Sequence, residues 1–480
     1  MFPQINSMVD PQDLVKLNEA LRKSSVGYQT PAQPSAGDPL SPLVPQSIEG
    51  MLSVATHTMD EIVMWKNIPK VNVNNTLHEY VVVDEHGIDL DPFISEGGGG
   101  SDTFALGQSE YSRKSVKIKY MAERRQISDV ASMVGLIGDN RTAMSEETER
   151  GTLSLMRKVE SQLFHGDESL NPEGFDGIIK QLRDAGSSKD LKGGVPTPLL
   201  LSEILGEVYS AQNYGRPDCI YVEPRIHSEL IRQSIESGRH DQFQLTGGNG
   251  LTFGAYNLSI SAPYGTVPVK VAPFLHTATK APATGKGTSP VTLSGSNVSV
   301  TSPAVAGSTL NETQGDIDFV YKLIAVGKQG YSAPYQFSAT AAQGDAIQIV
   351  VPSSSAQSGV LYYRLYRSEN NGTADTCRLV KQFSATPSNA QDQTITFQDT
   401  GLSYNTSSIV FAQHTPDAMQ FVRLLDFLRR PLASVSSVTP FLLMLFGSPV
   451  IKLPRKMFVL DGCSFNDTSS INANYLNANF

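Results

Sequence analysis

Three cysteines are all that this chain of 480 residues contains, at Cys219, Cys377 and Cys463. Their odd number and wide spacing offer neither a disulfide framework nor a thiolate metal cluster, and fit reduced thiols in a cytosol. Long apolar runs are missing too. The nearest, Phe441 to Phe446, is the size of a strand or a single buried helix turn, against the roughly 20 residues needed to cross a bilayer. The opening MFPQINSMVDPQD lacks the basic and apolar regions of a secretory signal, so the Asn-x-Ser/Thr matches at Asn140 and Asn311 carry no expectation of glycosylation. A surplus of cations is also absent. The formal net charge of −9 argues against an electrostatic polynucleotide binder, because counterion release needs clustered Lys and Arg.

Signatures of chemistry are equally scarce. Thr284-Gly285-Lys286-Gly287-Thr288 has neither the first glycine of a phosphate loop nor a Ser/Thr directly after the lysine, and no strand precedes it. Gly97 to Gly100 lacks a strand-to-helix setting as well. The histidines, His57, His78, His86, His165, His227, His240, His276 and His414, show no metal-ligand spacing and read as surface or capping residues. There is no Gly-x-Ser-x-Gly elbow and no cysteine in a nucleophile's context. The neighbouring acids Asp89 and Asp91, or Glu146 and Glu147, read as solvated charge and helix-start residues. No catalytic residue, metal ligand or cofactor site is expected.

What is present is a globular composition, 40% hydrophobic, in a chain long enough for about two to four domains with real cores. The most informative stretch runs from Thr142 to Gly177. Ser145 or Thr142 can cap free backbone N–H groups, and Glu146, Glu147 and Glu149 crowd the positive end of a helix dipole. Leu155, Val159 and Leu163 then recur every four residues as a narrow stripe, with Arg150, Arg157, Lys158 and Glu160 assigned to the other faces. The stripe predicts a helix over about 142–165 that lies along a sheet or another helix. His165 and Gly166 end it, and Gly174-Phe175-Asp176-Gly177 follows. An ordinary surface helix of a globular domain satisfies the same pattern.

Residues 1–50 combine a short helical pattern with a Pro-, Ser- and Gln-rich stretch, an arm with too little apolar surface for its own core. Ile48 to Asn67 reads as helical up to Pro69. Leu77 to Glu85 and Ser112 to Met121 read as two strands of a long hairpin, about 77–121, whose tip contains Gly97, Gly98, Gly99 and Gly100. Helical patterns follow over 178–191, 198–214 and 226–237, with a buried strand from Cys219 to Pro224, an alternation that indicates an α/β or α+β core. From Thr277 to Thr309 the chain is rich in Thr, Ser, Gly, Ala and Pro and reads as a linker. Between Ile317 and Phe411 short strands recur at turn-punctuated intervals, the pattern of an all-β sandwich of about 100 residues. Different patterns return from Thr415.

SEETERGTLSLMRKVESQLFHGD followed by GFDGIIKQL resembles the spine helix and following turn of tailed-phage major capsid proteins of the Hong Kong 97 fold. VKIKYMAERRQISDVASMVG resembles the strand that returns from that family's extended hairpin loop, and NYGRPD with EPRIHSELIRQSI its central and peripheral regions. The segments 421–431, 441–446 and 455–460, a mix of helix and strand patterns, resemble its closing segments, so the likeness covers roughly 48–275 and 414–465. YKLIAVGKQGYSAP, YYRLYRS and FQDTG resemble a fibronectin type III or immunoglobulin-like module, placed here as an insertion.

The resemblance implies an α+β capsid fold with an N-terminal arm (1–50), a first core part (51–275) and peripheral and axial regions. A linker and inserted sandwich (276–412) and a second core part with a tail (413–480) complete it. It implies a structural head protein, not an enzyme, that forms hexamers and pentamers of an icosahedral shell around double-stranded DNA. Its partners are itself, portal and scaffolding or decoration proteins, and DNA held without sequence specificity. It is assembled in the host cytoplasm, ends in the virion and involves no membrane. The hairpin tip, with Phe93, Gly97, Gly98, Gly99, Gly100 and Phe104, is the implied subunit interface, and Leu155, Val159 and Leu163 pack the spine. Some capsids of this fold cross-link through a hairpin lysine; residues 84–112 contain none, which implies a non-covalent shell. An adhesin or carbohydrate-binding protein using the sandwich, and a hydrolase with an accessory β module, are the competing readings.

Overall fold

A computed structural model of the chain describes residues 59–85, 109–130, 143–210, 213–236, 258–275, 281–402, 407–434 and 437–464. The arm, the hairpin tip with Phe93, Gly97 to Gly100 and Phe104, the cap candidate Thr142 and the tail beyond 464 lie outside the described residues.

The Leu155–Val159–Leu163 stripe becomes one face of a 23-residue helix, Ala143–His165. Ser145 lies inside its first turn rather than ahead of it. The helix rests on a four-stranded sheet in the order Lys70–Asn72, Met419–Pro431, Val438–Ile451, Lys119–Ser128. Leu155, Val159 and Leu163 are 3%, 1% and 0% exposed, in one core with Phe441, Leu443 and Leu445 of the sheet. On the order of 2 kcal/mol of burial free energy per such side chain holds the helix down.

A second sheet, six-stranded, runs Ser188–Asp190, Phe458–Cys463, Ser407–Ala412, Cys219–Val222, Gly265–Val271, Ser259–Ala262. Helix Pro198–Val208, opened by a Thr197 side chain that accepts from the Leu200 N–H, and helix Pro224–Glu236 cover it. Cys219–Val222 is buried at every position, as its unbroken apolar run predicts. In both sheets strands from before residue 275 pair with strands from residue 407 onward. Lys70–Asn72 pairs with Phe421–Arg423, Lys119–Ser128 with 438–447, and Cys219–Tyr221 with Val410–Ala412.

The chain between these halves forms its own unit. Three strands, Ser299–Thr301, Ile347–Pro352 and Thr394–Asp399, make one sheet, and Ile317–Gly327 with Val360–Arg367, Arg378–Ser384 and shorter partners makes another. Both contribute to a single core that includes Phe319, Tyr321, Ile349, Tyr363 and Leu365. From Val291 onward the linker expectation for 277–309 does not hold. Val291, Leu293 and Val298 are buried in this core and Ser299–Thr301 is one of its strands. Small residues between those three apolar side chains hid them from a composition-based reading. At the other end Ser407–Ala412 leaves the unit and joins the six-stranded sheet.

Gly265–Val271 and Ser407–Ala412 flank the same strand, Cys219–Val222, from its two sides. The strands that bracket the β unit therefore stand two strand spacings apart, about 10 Å.

Candidate assembly interface

Of the residues singled out in the sequence, the spine stripe is buried and the hairpin tip falls outside the described residues. The hairpin's described part is a two-stranded ribbon, Leu77–Glu85 against Glu110–Lys117, in the register Val81↔Arg113, Val83↔Tyr111. Its base is anchored where Tyr80 and Val116 pack against Ile118, Val422, Val450 and Phe446. Beyond that base Val81, Val83 and Tyr111 are 60%, 40% and 66% exposed. Since paired residues share a face, all three lie on one side of the ribbon. The same side carries the Glu79–Arg113 ion pair at 3.5 Å, so this face of the ribbon is mixed apolar and charged.

Sequence reasoning placed Glu160 on a solvated face, and the structure corrects this: its side chain is 1% exposed. Its carboxylate accepts the backbone N–H groups of Val63, Met64 and Trp65 at 3.1, 2.6 and 2.9 Å, the free donors at the start of helix Met64–Asn67. The spine thus holds the chain segment that leads into the hairpin by capping it from a distance. Burial pushes the Glu160 carboxyl above its ordinary range, partly opposed by those three donors. Only the spacing from Leu155 and Val159 could have signalled it, and a glutamate one step off an apolar stripe ordinarily reads as solvated.

A raised carboxyl pKa in the fold means that Glu160 adds stability at acid pH, which is lost as pH rises through the raised value. Glu160→Gln keeps one acceptor and turns an NH2 toward a donor. We expect a loss of about 1–3 kcal/mol at acid pH. The melting-temperature gap between wild type and Glu160→Gln should shrink from pH 4 to pH 8; a gap that widens with pH contradicts the assignment.

The glycines that close the spine have a steric reason. The Gly177 N–H donates to the Gly166 carbonyl at 2.9 Å. A Cβ at Gly166 would stand 2.5 Å from the Phe175 carbonyl oxygen, and one at Gly177 would stand 2.7 Å from the Gly166 nitrogen. These obstacles are backbone, which cannot rotate away. Gly166→Ala should therefore cost ~3 kcal/mol by overpacking, read as a lowered midpoint of urea unfolding; an unchanged midpoint would show that the turn relaxes freely.

Polar bridges tie the spine and turn to the sheets. Glu123, on the strand under the helix, accepts from Lys158 at 2.9 Å and from Arg125, which reaches Glu147 at 3.0 Å. Burial opposes the charged form of Glu123, yet its bonds from Lys158, Ser154 and Arg125 hold the carboxyl below the usual range. Arg183 donates twice to Asp461, at 2.6 and 2.8 Å, and Ser408 donates to the same carboxylate.

His414, expected at the surface, is instead inserted between Tyr221 and Asp218, at 2.8 and 2.7 Å. Tyr221 also accepts from Asn67, so this chain of bonds links the second sheet to helix Met64–Asn67. His165 likewise reaches the Leu275 carbonyl at 2.9 Å. The three cysteines are buried, and burial raises their thiols, Cys219 to about 11. Among the described residues no group of acids, histidines and cysteines could hold a metal ion, and no helix is long and apolar enough to cross a membrane.

No known family profile matches the chain. A curated relative from Enterococcus phage phiEF24C, described as "Putative major capsid protein", is 21% identical over 94% of this chain and 96% of its own length. Among solved structures, the capsid of a native GTA particle aligns with 90% of this chain and 100% of its own at 9% identity and a TM-score of 0.45. A structure from Mycobacterium phage Adephagia aligns with 91% and 100% at 9% identity and a TM-score of 0.43. Structural likenesses this loose fix no detail; the end-to-end sequence match carries the weight. The spine, the glycine-closed turn and that match agree that this α+β chain is a relative of phage major capsid proteins.

Proposed function

We propose that the chain is the shell-forming subunit of a tailed-phage head, assembling into hexamers and pentamers of an icosahedral shell around double-stranded DNA. The observation that carries this reading is where apolar surface remains uncovered. Among the described residues every large hydrophobic residue found exposed, including Val81, Tyr111, Tyr120, Leu199, Tyr214, Leu425 and Leu428, lies outside the β unit of residues 281–402. A shell subunit needs that distribution. The interleaved α+β core keeps apolar faces for neighbouring copies, while an immunoglobulin- or fibronectin-like sandwich inserted between core strands faces solvent and decorates the outside. The same distribution weighs against a sugar-binding adhesin, since the β unit offers no exposed aromatic platform and Trp65, the one tryptophan, packs against Phe421 in the core.

The role is geometric rather than catalytic. Portal, scaffolding or decoration proteins would complete the head, and enclosed DNA would be held without sequence readout, in keeping with the net charge of −9. Electron microscopy of the purified full chain should show closed particles or capsomers. Deleting 93–103 at the hairpin tip should leave a folded protein that fails to form them. A wild-type chain that stays monomeric at every concentration, or a deletion that assembles at full yield, overturns the reading.

A further inference from the structure

The β unit of residues 281–402 has its own sheets and its own core, and the joint between it and the rest of the chain is of another kind. Among the described residues no strand pairing and no apolar cluster spans the two. Between them lies a cleft of about 570 Å³. The unit contributes Val380, Lys381 and Gln382 from one strand, and the core contributes the end of the spine, helix Ile178–Asp184 and the strands Ser188–Asp190 and Phe458–Cys463. A contact that fixes one domain on another is large and apolar; this one is neither.

Charge is sorted across the cleft. Its core wall carries four carboxylates, Asp167, Asp184, Asp190 and Asp461, against two cations, and both of those are engaged, Lys180 with Asp184 at 3.1 Å and Arg183 with Asp461 at 2.6 Å. The unit's wall brings Lys381 and no acid. Elsewhere on the unit Lys328, in the turn between Ile317–Gly327 and Gly330–Tyr331, donates to Glu173 at 2.6 Å. Glu173 belongs to the glycine-closed turn that ends the spine, so this ion pair fastens the unit to that turn. Its side chains are 57% and 72% exposed. A pair this open to water shifts an equilibrium by only about two- to fivefold, and salt weakens it further. The unit's interior, by contrast, buries Phe319, Tyr321, Ile349, Tyr363 and Leu365 together. The joint therefore yields long before the unit does.

We propose that the β unit is a hinged module held down by an electrostatic latch, with Lys328 on Glu173 as the catch and Lys381 facing the acidic wall. Two states interchange: a seated one, with the latch made, and a lifted one, with the cleft open and the unit intact. Salt favours the lifted state. Because Glu173 sits in the turn that closes the spine, the latch ties the attitude of the unit to the position of that turn. The hinge is a property of one chain and stands apart from the shell-subunit reading.

The test uses the full chain carrying Gln382→Cys, which puts a thiol in the cleft, and a bulky polyethylene-glycol maleimide that reaches it only when the unit lifts. Adding Lys328→Glu sets two carboxylates against each other and should speed labelling of that thiol about three- to tenfold. Adding Glu173→Lys to the same chain restores an opposite pair and should bring the rate back. Molar salt should speed labelling of the Gln382→Cys chain alone about two- to fivefold. Cys377 inside the unit and Cys219 in the core are each 2% exposed and should stay unlabelled throughout. If Gln382→Cys disturbs its strand, carbodiimide coupling of Lys328 to Glu173 in the unaltered chain gives the same reading. It should fall about two- to fivefold in molar salt relative to coupling of Lys119 to Glu168, a pair at 2.8 Å within the core. A labelling rate indifferent to Lys328→Glu, no recovery on charge exchange, a coupling ratio unmoved by salt, or labelling of Cys377 in step with the introduced thiol overturns the hinge. None of these touches the shell-subunit reading, which particle formation decides.

Discussion

Val159→Asp should abolish folding of the core rather than merely weaken assembly. Val159 is 1% exposed and lies midway along the spine stripe, between Leu155 and Leu163, above Phe441 and Leu443. A carboxylate there would be buried without a partner. The cations nearest in sequence, Arg157 and Lys158, lie on other faces of the helix, and Lys158 is bound to Glu123. An uncompensated buried charge costs ~3–5 kcal/mol, a large share of the ~5–15 kcal/mol that holds a typical domain folded. Expression should shift to the insoluble fraction, and any soluble protein should melt early. Leu155→Asp should behave alike, whereas Arg157→Asp, on a half-exposed face of the same helix, should be tolerated. Soluble, assembly-competent Val159→Asp at normal yield would falsify the packing described for the spine.

That contrast shows what the sequence makes legible. A stripe of Leu155, Val159 and Leu163 is periodic, and periodicity reports burial directly, so the helix and its buried face could be read within a residue or two. The unbroken run Cys219–Val222 is equally plain. Glu160 and His414 could not be read in this way, because their partners are distant in sequence. Glu160 serves backbone donors some 95 residues away, and His414 serves a tyrosine 193 residues away. A buried polar residue is defined by its partner, and one chain read alone names no partner. The glycines of the turn were conspicuous, but the reason for them, two backbone segments in contact, exists only once the fold closes. The seat of the β unit was hidden for another reason: it joins residues near 173, 328 and 381, and only the tertiary fold brings them together.

The β unit was legible as strands and illegible at its borders, because Val291, Leu293 and Val298 are too sparse to stand out in a Ser- and Thr-rich stretch. The borders decide how the unit should be tested. A piece begun at residue 300 would lack those three core side chains and the first residue of the strand Ser299–Thr301. Residues 281–402 contain both sheets and the whole shared core, and should fold alone with a cooperative melt. Joining Leu275 to Ser407 through a short Gly-Ser bridge should leave a chain that still assembles, since the flanking strands stand only about 10 Å apart.

Within that isolated unit the largest single loss should come from Asp399. It is fully buried and gathers a closed set of bonds: Arg367 donates to both its oxygens at 2.8 and 2.6 Å, Tyr321 donates at 3.0 Å, and the Gly401 and Leu402 N–H groups at 3.1 and 3.2 Å. Arg367 is itself 6% exposed, donates also to the Leu402 carbonyl, and lies over the Phe319 ring. Burial and the neighbouring carboxylate both push the Tyr321 phenol up, so it stays a donor. Asp399→Ala removes the acceptor for all of these at once and leaves a buried guanidinium with no counter-charge, a loss of ~3–5 kcal/mol. In a unit of this size that should lower the melting temperature by about 10 °C or more. Asp399→Asn should do nearly as badly, because it keeps the shape but not the charge that Arg367 requires. If Asp399→Asn instead melts within a degree or two of wild type, the pair is open to water, and the unit's core does not close around it as described.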